Sequence, residues 1–319
     1  MTTRIVMDCD TGSDDAVAIM LAALHPGIDL LAVSTVNGNV PLSHTTENTL
    51  RVLDHIGVRV PVYPGAARPL VRPDFPVPRA ELNADDPKFQ VSLFDLPPSV
   101  TPVQPESAVR MLVDTFSNPA NADVVLVATG PLTNVALALA AEPALASRIS
   151  RLVLMGGAKV GGNVTATAEF NLWVDPEAAR AVFSAGIADV TVIPLDATHT
   201  APLTHADCAA LDSLGTRAAT LASALVRHRI AHDQTPDSAK AEPSAPVHDP
   251  LCVAALLRPD VITSSGHWPV TVETTGERTL GQLVVDTRPW STEPANATVA
   301  LSASADVYRE VLFEAFAHR

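Results

Sequence analysis

The stretch that most constrains this chain lies near its start, Ile5-Val6-Met7-Asp8-Cys9-Asp10-Thr11-Gly12-Ser13-Asp14-Asp15-Ala16, where four carboxylates fall within eight residues directly after an apolar run. The run reads as a buried strand, Gly12 as a turn, and Ala16-Val17-Ala18-Ile19-Met20-Leu21 as the body of a helix. Asp10 then stands at a strand's C-terminal end. Asp14 and Asp15 open the helix, where the macrodipole favours negative charge. Carboxylates this close repel one another, and a fold keeps them together only with protons, helix amides or a cation. An oxygen-only donor set selects a hard cation, calcium or magnesium. The plainer reading makes Asp14 and Asp15 a helix cap and Asp8 a surface residue.

The rest of the chain repeats the same grammar of apolar run, polar glycine turn and helix. Residues 30–36 form an apolar run ending in Asn37-Gly38-Asn39, a helix is expected over 41–56, and a short strand over 60–65. A proline-rich stretch, 66–104, interrupts the alternation and reads as a lid or binding loop. Strands at 124–128, 151–155 and 190–193 follow, with helices at 105–118, 135–142, 204–211 and 216–233. Residues 267–303 read as antiparallel strands before a terminal helix over 305–316. The expected fold is α/β: a mostly parallel central sheet with helices on both faces, a small antiparallel addition near the C-terminus, and a single domain over 1–319.

Composition narrows the partners. With 319 residues and 47% hydrophobic content the chain can bury a large core. Its formal charge of −14, from 35 acidic and 21 basic residues, argues against a nucleic-acid polymer or an anionic membrane and for a small neutral or cationic substrate. Cys9, Cys208 and Cys252 form neither a paired framework nor a metal spacing and are expected as buried thiols. No signal segment and no long uncharged apolar span is visible, so a soluble, cytoplasmic protein is expected.

Five segments together resemble the inosine-uridine-preferring nucleoside hydrolases. The first stretch resembles their Asp-x-Asp-Pro-Gly-x-Asp-Asp-Ala signature, with Thr11 in place of the proline. Val36-Asn37-Gly38-Asn39 resembles a Val-x-Gly-Asn turn, Thr129-Gly130-Pro131-Leu132-Thr133-Asn134 a Thr-Gly-Pro-Leu-Thr-Asn motif, and His248-Asp249-Pro250-Leu251 a His-Asp-Pro-Leu-Ala motif. The longest match runs from Gly161 through Asn163, Glu169, Asn171, Trp173 and Asp175 to Ala179. Asp175-Pro176-Glu177 is read as a helix cap, and Trp173 as core.

The resemblance implies hydrolysis of a ribonucleoside N-glycosidic bond, with Ca2+ held by Asp10, Asp15, Asp249 and the main-chain carbonyl of Thr129. It further implies Asp10 as the base toward water, His248 near the leaving base, Asp14 and Asn39 on the 2′-hydroxyl, Asn171 on the 3′ and Asn163 with Glu169 on the 5′. Similar proteins are dimers or tetramers, so a homodimer or homotetramer is expected. Two places depart from the family: no His-Gly-x-x-Gly-Leu motif occurs in 66–104, where Asp85-Asp86-Pro87-Lys88-Phe89 stands, and the helix that carries tyrosines elsewhere carries His228 and His232. Base preference is left open by both. Two alternatives stand beside this reading. One is a nucleoside- or sugar-binding module without turnover. The other is a haloacid-dehalogenase-type phosphatase, because Asp8-Cys9-Asp10-Thr11 resembles Asp-x-Asp-x-Thr with its threonine one position early; Lys88, Lys159 and Lys240 are the chain's only lysines, and no Gly-Asp-rich motif follows.

Overall fold

The computed structural model describes residues 2–77, 91–232 and 242–317. Its strands are β1 (Thr3–Cys9), β2 (Ile28–Thr35), β3 (Val62–Pro64), β4 (Val125–Ala128), β5 (Arg151–Met155), β6 (Val190–Ile193), β7 (Leu203–Thr204), β8 (Ser244–Ala245), β9 (Ile262–Trp268), β10 (Val270–Val272), β11 (Leu283–Val285) and β12 (Ala297–Ala303). The helices of the first half are α1 (Ser13–Leu24), α2 (Leu42–Ile56), α3 (Ala108–Ser117), α4 (Thr133–Ala141), α5 (Leu145–Arg148) and α6 (Phe170–Val174). Those of the second half are α7 (Pro176–Phe183), α8 (Leu195–Thr198), α9 (His205–Leu214), α10 (Arg217–His232), α11 (Pro250–Leu257) and α12 (Ala305–Ala317).

Eight strands form one sheet in the order β3-β2-β1-β4-β5-β6-β12-β9. Neighbours from β3 to β12 run parallel, and β9 closes the edge antiparallel to β12. Parallel strands are buried on both faces and therefore need near-continuous apolar runs. In β1, Ile5, Met7 and Cys9 enter one core with α1, α9, α10, α11 and α12, while Val6 enters the other with α3, α4 and α7. The side-chain period of two makes that division. All three cysteines are buried.

The parallel α/β architecture expected from the sequence is the one observed. One detail differs: β12, expected among antiparallel strands, lies parallel to β6 inside the main sheet, with Val299 at 0% exposure. Only β10 with β11, and β7 with β8, form separate antiparallel pairs among the described residues. A short strand's direction depends on its sheet neighbour, which periodicity does not encode.

The chain leaves β1 toward β2 on one side and meets β4 on the other. That reversal of strand order opens a crevice at the strands' C-terminal ends. Flanks of the proline-rich stretch are pinned beside it. Leu70 N donates to Asp175 Oδ2 at 2.6 Å, Arg72 forms two bonds to Glu177, and Phe94 N donates to Asn48 Oδ1 at 3.1 Å. The segment holding Asp85, Asp86, Lys88 and Phe89 lies outside the described residues, as does Lys240.

Candidate active site

Loops after four parallel strands and the N-termini of two helices converge in this crevice. Asp10 follows β1 and is fully buried. Its Oδ2 accepts from Asn39 N at 2.6 Å, while its Oδ1 is buried without a hydrogen-bond partner among the described residues. The backbone must come very close for this. A Cβ added at Gly38 would stand 1.9 Å from Asp10 Oδ2, and one at Gly130 would stand 2.9 Å from Oδ1. Glycine at both turns is therefore required by contact rather than by dihedral freedom.

Asp15 is held on both oxygens. Oδ1 accepts from the Thr129 hydroxyl at 2.8 Å; Oδ2 accepts from Gly12 N at 3.0 Å and Asn39 Nδ2 at 3.2 Å. Asn39 thus ties the Asp10 and Asp15 carboxylates together. Asp14, one position earlier on α1, is paired with Arg229 of α10 at 3.3 Å. Asp249 occupies the N-cap position of α11, yet its side chain makes no cap hydrogen bond. An aspartate before proline that does not cap its helix has another use. Oxygens of Asp14, Asp15 and Asp249, all buried, lie within 4.8 Å of one another.

Burial dominates the electrostatics. It pushes Asp10 well above the usual carboxylate range, with the Asp15 charge adding to it and the Asn39 amide opposing. Burial raises Asp15 to about 7, reinforced by Asp14. Asp249 is raised by burial and then by Asp14, Asp15 and Asp10, with Arg229 working against them. These are carboxyls whose ionisation awaits positive charge. The orphaned Asp10 oxygen and the uncapped Asp249 meet that need, so an all-oxygen divalent cation site fits the residues present.

Other residues matched to the family surround this cluster. Asn171 Nδ2 donates to the Thr129 carbonyl at 2.8 Å and to the Met155 carbonyl at 3.2 Å, which leaves its own oxygen as the acceptor on offer. Glu169 caps α6: Oε1 accepts from Asn171 N at 2.9 Å, and Oε2 from Gly157 N at 2.7 Å and Leu172 N at 3.3 Å. Burial raises its carboxyl to about 7 despite these amides. Asn163 is exposed at the rim and accepts from Phe170 N at 3.0 Å. His248 is buried, its Nδ1 2.7 Å from the Thr198 hydroxyl and its ring 5.6 Å from that of His199.

Asp8 lies within β1, two residues before Asp10. Its Oδ1 accepts from Ser34 Oγ at 2.6 Å and Asn134 Nδ2 at 2.8 Å, and it is 0% exposed. Its Oδ2, like Asp10 Oδ1, is buried without a hydrogen-bond partner among the described residues, so burial does not separate the two carboxylates, and it is the family match below that removes the phosphatase reading. Asp175 is the cap that its sequence context implies, accepting from Ala178 N at 3.1 Å, and Trp173 is core at 3% exposure. The rings of His228 and His232 lie 4.5 Å apart along α10, tilted by 41°. Arg229 between them is not legible in the sequence, since no local pattern marks an arginine that meets a carboxylate more than 200 positions away.

The model of the inosine-uridine preferring nucleoside hydrolases matches residues 5–310 of the chain. The chain belongs to that family. Hydrolysis of a ribonucleoside N-glycosidic bond is the chemistry this membership carries. The hydrolase is 41% identical to the pyrimidine-specific ribonucleoside hydrolase RihA of Shewanella woodyi, over 94% of this chain and 93% of that protein. It is 37% identical to RihA of Photobacterium profundum, covering 100% of both chains. Its fold matches the solved structure of a purine-preferring ribonucleoside hydrolase from Gardnerella vaginalis with a TM-score of 0.86, at 29% identity over 98% of each chain. Among the described residues no helix is long and apolar enough to cross a membrane.

Proposed function

We propose that the hydrolase is a calcium-dependent pyrimidine ribonucleoside hydrolase, giving ribose and a free base by direct attack of water. The observation that carries this is the buried Asp10 oxygen without a hydrogen-bond partner, beside three further carboxylates whose oxygens converge within 4.8 Å. Asp10, Asp15, Asp249 and the Thr129 carbonyl would hold the ion; calcium rather than magnesium suits a set with several carboxylates and a backbone oxygen. Bound there, the ion would make a water more acidic and order the ribose diol.

The chain's own groups supply the rest. Asp10 accepts the proton of the attacking water, its carboxylate held in place by the Asn39 amide. Asp14 and Asn39 hold the 2′-hydroxyl, the Asn171 oxygen accepts from the 3′-hydroxyl, and Glu169 with Asn163 meets the 5′ side. Carboxylates around the ring stabilise the positive charge that develops on the sugar. His248, oriented through Thr198, gives its proton to the departing base. Attack without a covalent sugar intermediate inverts the anomeric centre.

Pyrimidine preference rests on the relatives of 37–41% identity, which carry that specificity in their names. The same family reading favours a homodimer or homotetramer in the cytoplasm. Free-ribose release from purine, pyrimidine and modified ribonucleosides, with and without calcium after chelation, tests the whole reading. Calcium-dependent release strongest for uridine or cytidine is expected. Nucleoside and calcium binding without any release would make the protein a binding module instead.

A further inference from the structure

Asp14 and Asp15 are adjacent carboxylates on the first turn of one helix, and both lie within 4.8 Å of Asp249. A divalent cation entering this pocket has no reason in distance alone to take one and leave the other. The surroundings separate them. Asp15 is held by neutral donors, Gly12 N, Asn39 Nδ2 and the Thr129 hydroxyl. Asp14 faces a guanidinium.

Among the described residues Asp14, Ser13 and Pro246 hold that guanidinium. Arg229 Nη1 lies 3.3 Å from Asp14 Oδ1 and donates to Ser13 Oγ at 3.4 Å, while Nε donates to the Pro246 carbonyl at 3.0 Å. Both side chains of the pair are nearly buried, at 11% and 8% exposure. The planar fork reaches a carbonyl with one nitrogen and the α1 N-terminus with another, which a lysine ammonium cannot reproduce. A fixed positive charge at this distance also repels a second cation brought among the same carboxylates, and a partly desolvated site screens that repulsion poorly.

We propose that Arg229 is a positioning residue that reserves Asp14 for the substrate's hydroxyl and holds the metal affinity of the pocket down, directing the ion to Asp10, Asp15 and Asp249. The inference deepens the hydrolase reading above and rests on it. Without Arg229, Asp14 joins the ion's ligands: calcium binds more tightly and the nucleoside loses an orienting contact. The two effects have opposite signs, whereas loss of a merely structural arginine weakens both or neither.

The test is calorimetric titration of chelator-treated protein with calcium alone, for the wild type, R229Q and R229K, followed by uridine kinetics at saturating calcium. R229Q is expected to bind calcium about tenfold more tightly while kcat/KM falls about tenfold or more. R229K keeps the charge, so its calcium affinity should stay within about threefold of wild type while its KM rises about fivefold. Unchanged or weaker calcium binding by R229Q, or a wild-type KM in R229K, overturns the role. If R229Q does not fold, as read by circular dichroism, the KM of R229K decides. A wild type that binds calcium and releases ribose while the variants behave alike isolates the failure to Arg229; a wild type that does neither removes the hydrolase reading and this role with it.

Discussion

Asp10 combines complete burial, one oxygen bound to an amide and one oxygen left over. If it is the base, Asp10→Asn should preserve the fold, seen as an unchanged circular dichroism spectrum, and lower kcat by about 10²–10⁴-fold. Asp249→Ala should weaken calcium binding in a titration without nucleoside; unchanged affinity would exclude it as a ligand. The raised carboxyls also give a signed pH prediction. In chelator, Asp15 and Glu169 titrate near 7 when folded but near their ordinary values of 3.8 and 4.5 when unfolded. Between those limits the folded chain binds more protons, so stability falls as pH rises from about 4 to about 7 and levels off above. Melting in chelator should therefore be higher at pH 5.5 than at pH 8, and added calcium should recover the loss at pH 8. Calcium binding near pH 6.5 should release protons, measurable as a heat that varies with buffer.

At the scale of elements, the site depends on how closely the loop after β2 approaches the end of β1. Gly38→Ala sets a methyl group into the Asp10 carboxylate. A displacement of about 1 Å there should cost about 10²-fold in kcat, read against a control in which calcium binding is measured separately. α6 offers a second case. Glu169 satisfies two amides at its start, those of Asn171 and Leu172, and the Gly157 amide in the loop after β5. Glu169→Ala leaves them unmet in a buried place and should destabilise the protein by about 1–3 kcal/mol in urea unfolding, with KM rising because Asn171 loses its support.

At the scale of the molecule, two cores lie on opposite faces of one sheet, and residues of β1 enter both. The expectation of a single domain over 1–319 therefore becomes a measurement: one cooperative unfolding transition by heat, coincident for fluorescence and far-ultraviolet dichroism. Calcium at about 100-fold above its Kd should raise that transition by roughly 5 °C, since binding to the folded state alone contributes about 2.7 kcal/mol. Two separate transitions would divide the chain into independent units.

What the sequence determined by itself was local. Apolar runs of strand length, glycine turns and helix starts are written in neighbouring residues, so the parallel α/β order and the positions of Asp10, Asp14, Asp15, Asn39, Thr129 and Asp249 at strand ends or helix starts were legible. The caps of Asp175 and the burial of the cysteines belong to the same class. Tertiary structure decided what depends on distant partners: that β12 joins the sheet beside β6, that Asp8 is sealed by Ser34 and Asn134, that Asp249 does not cap its helix, and that Arg229 meets Asp14. The physical reason is range. Propensity and periodicity act over a few residues, whereas the desolvation and charge that set these carboxylates' chemistry come from whatever the fold packs against them.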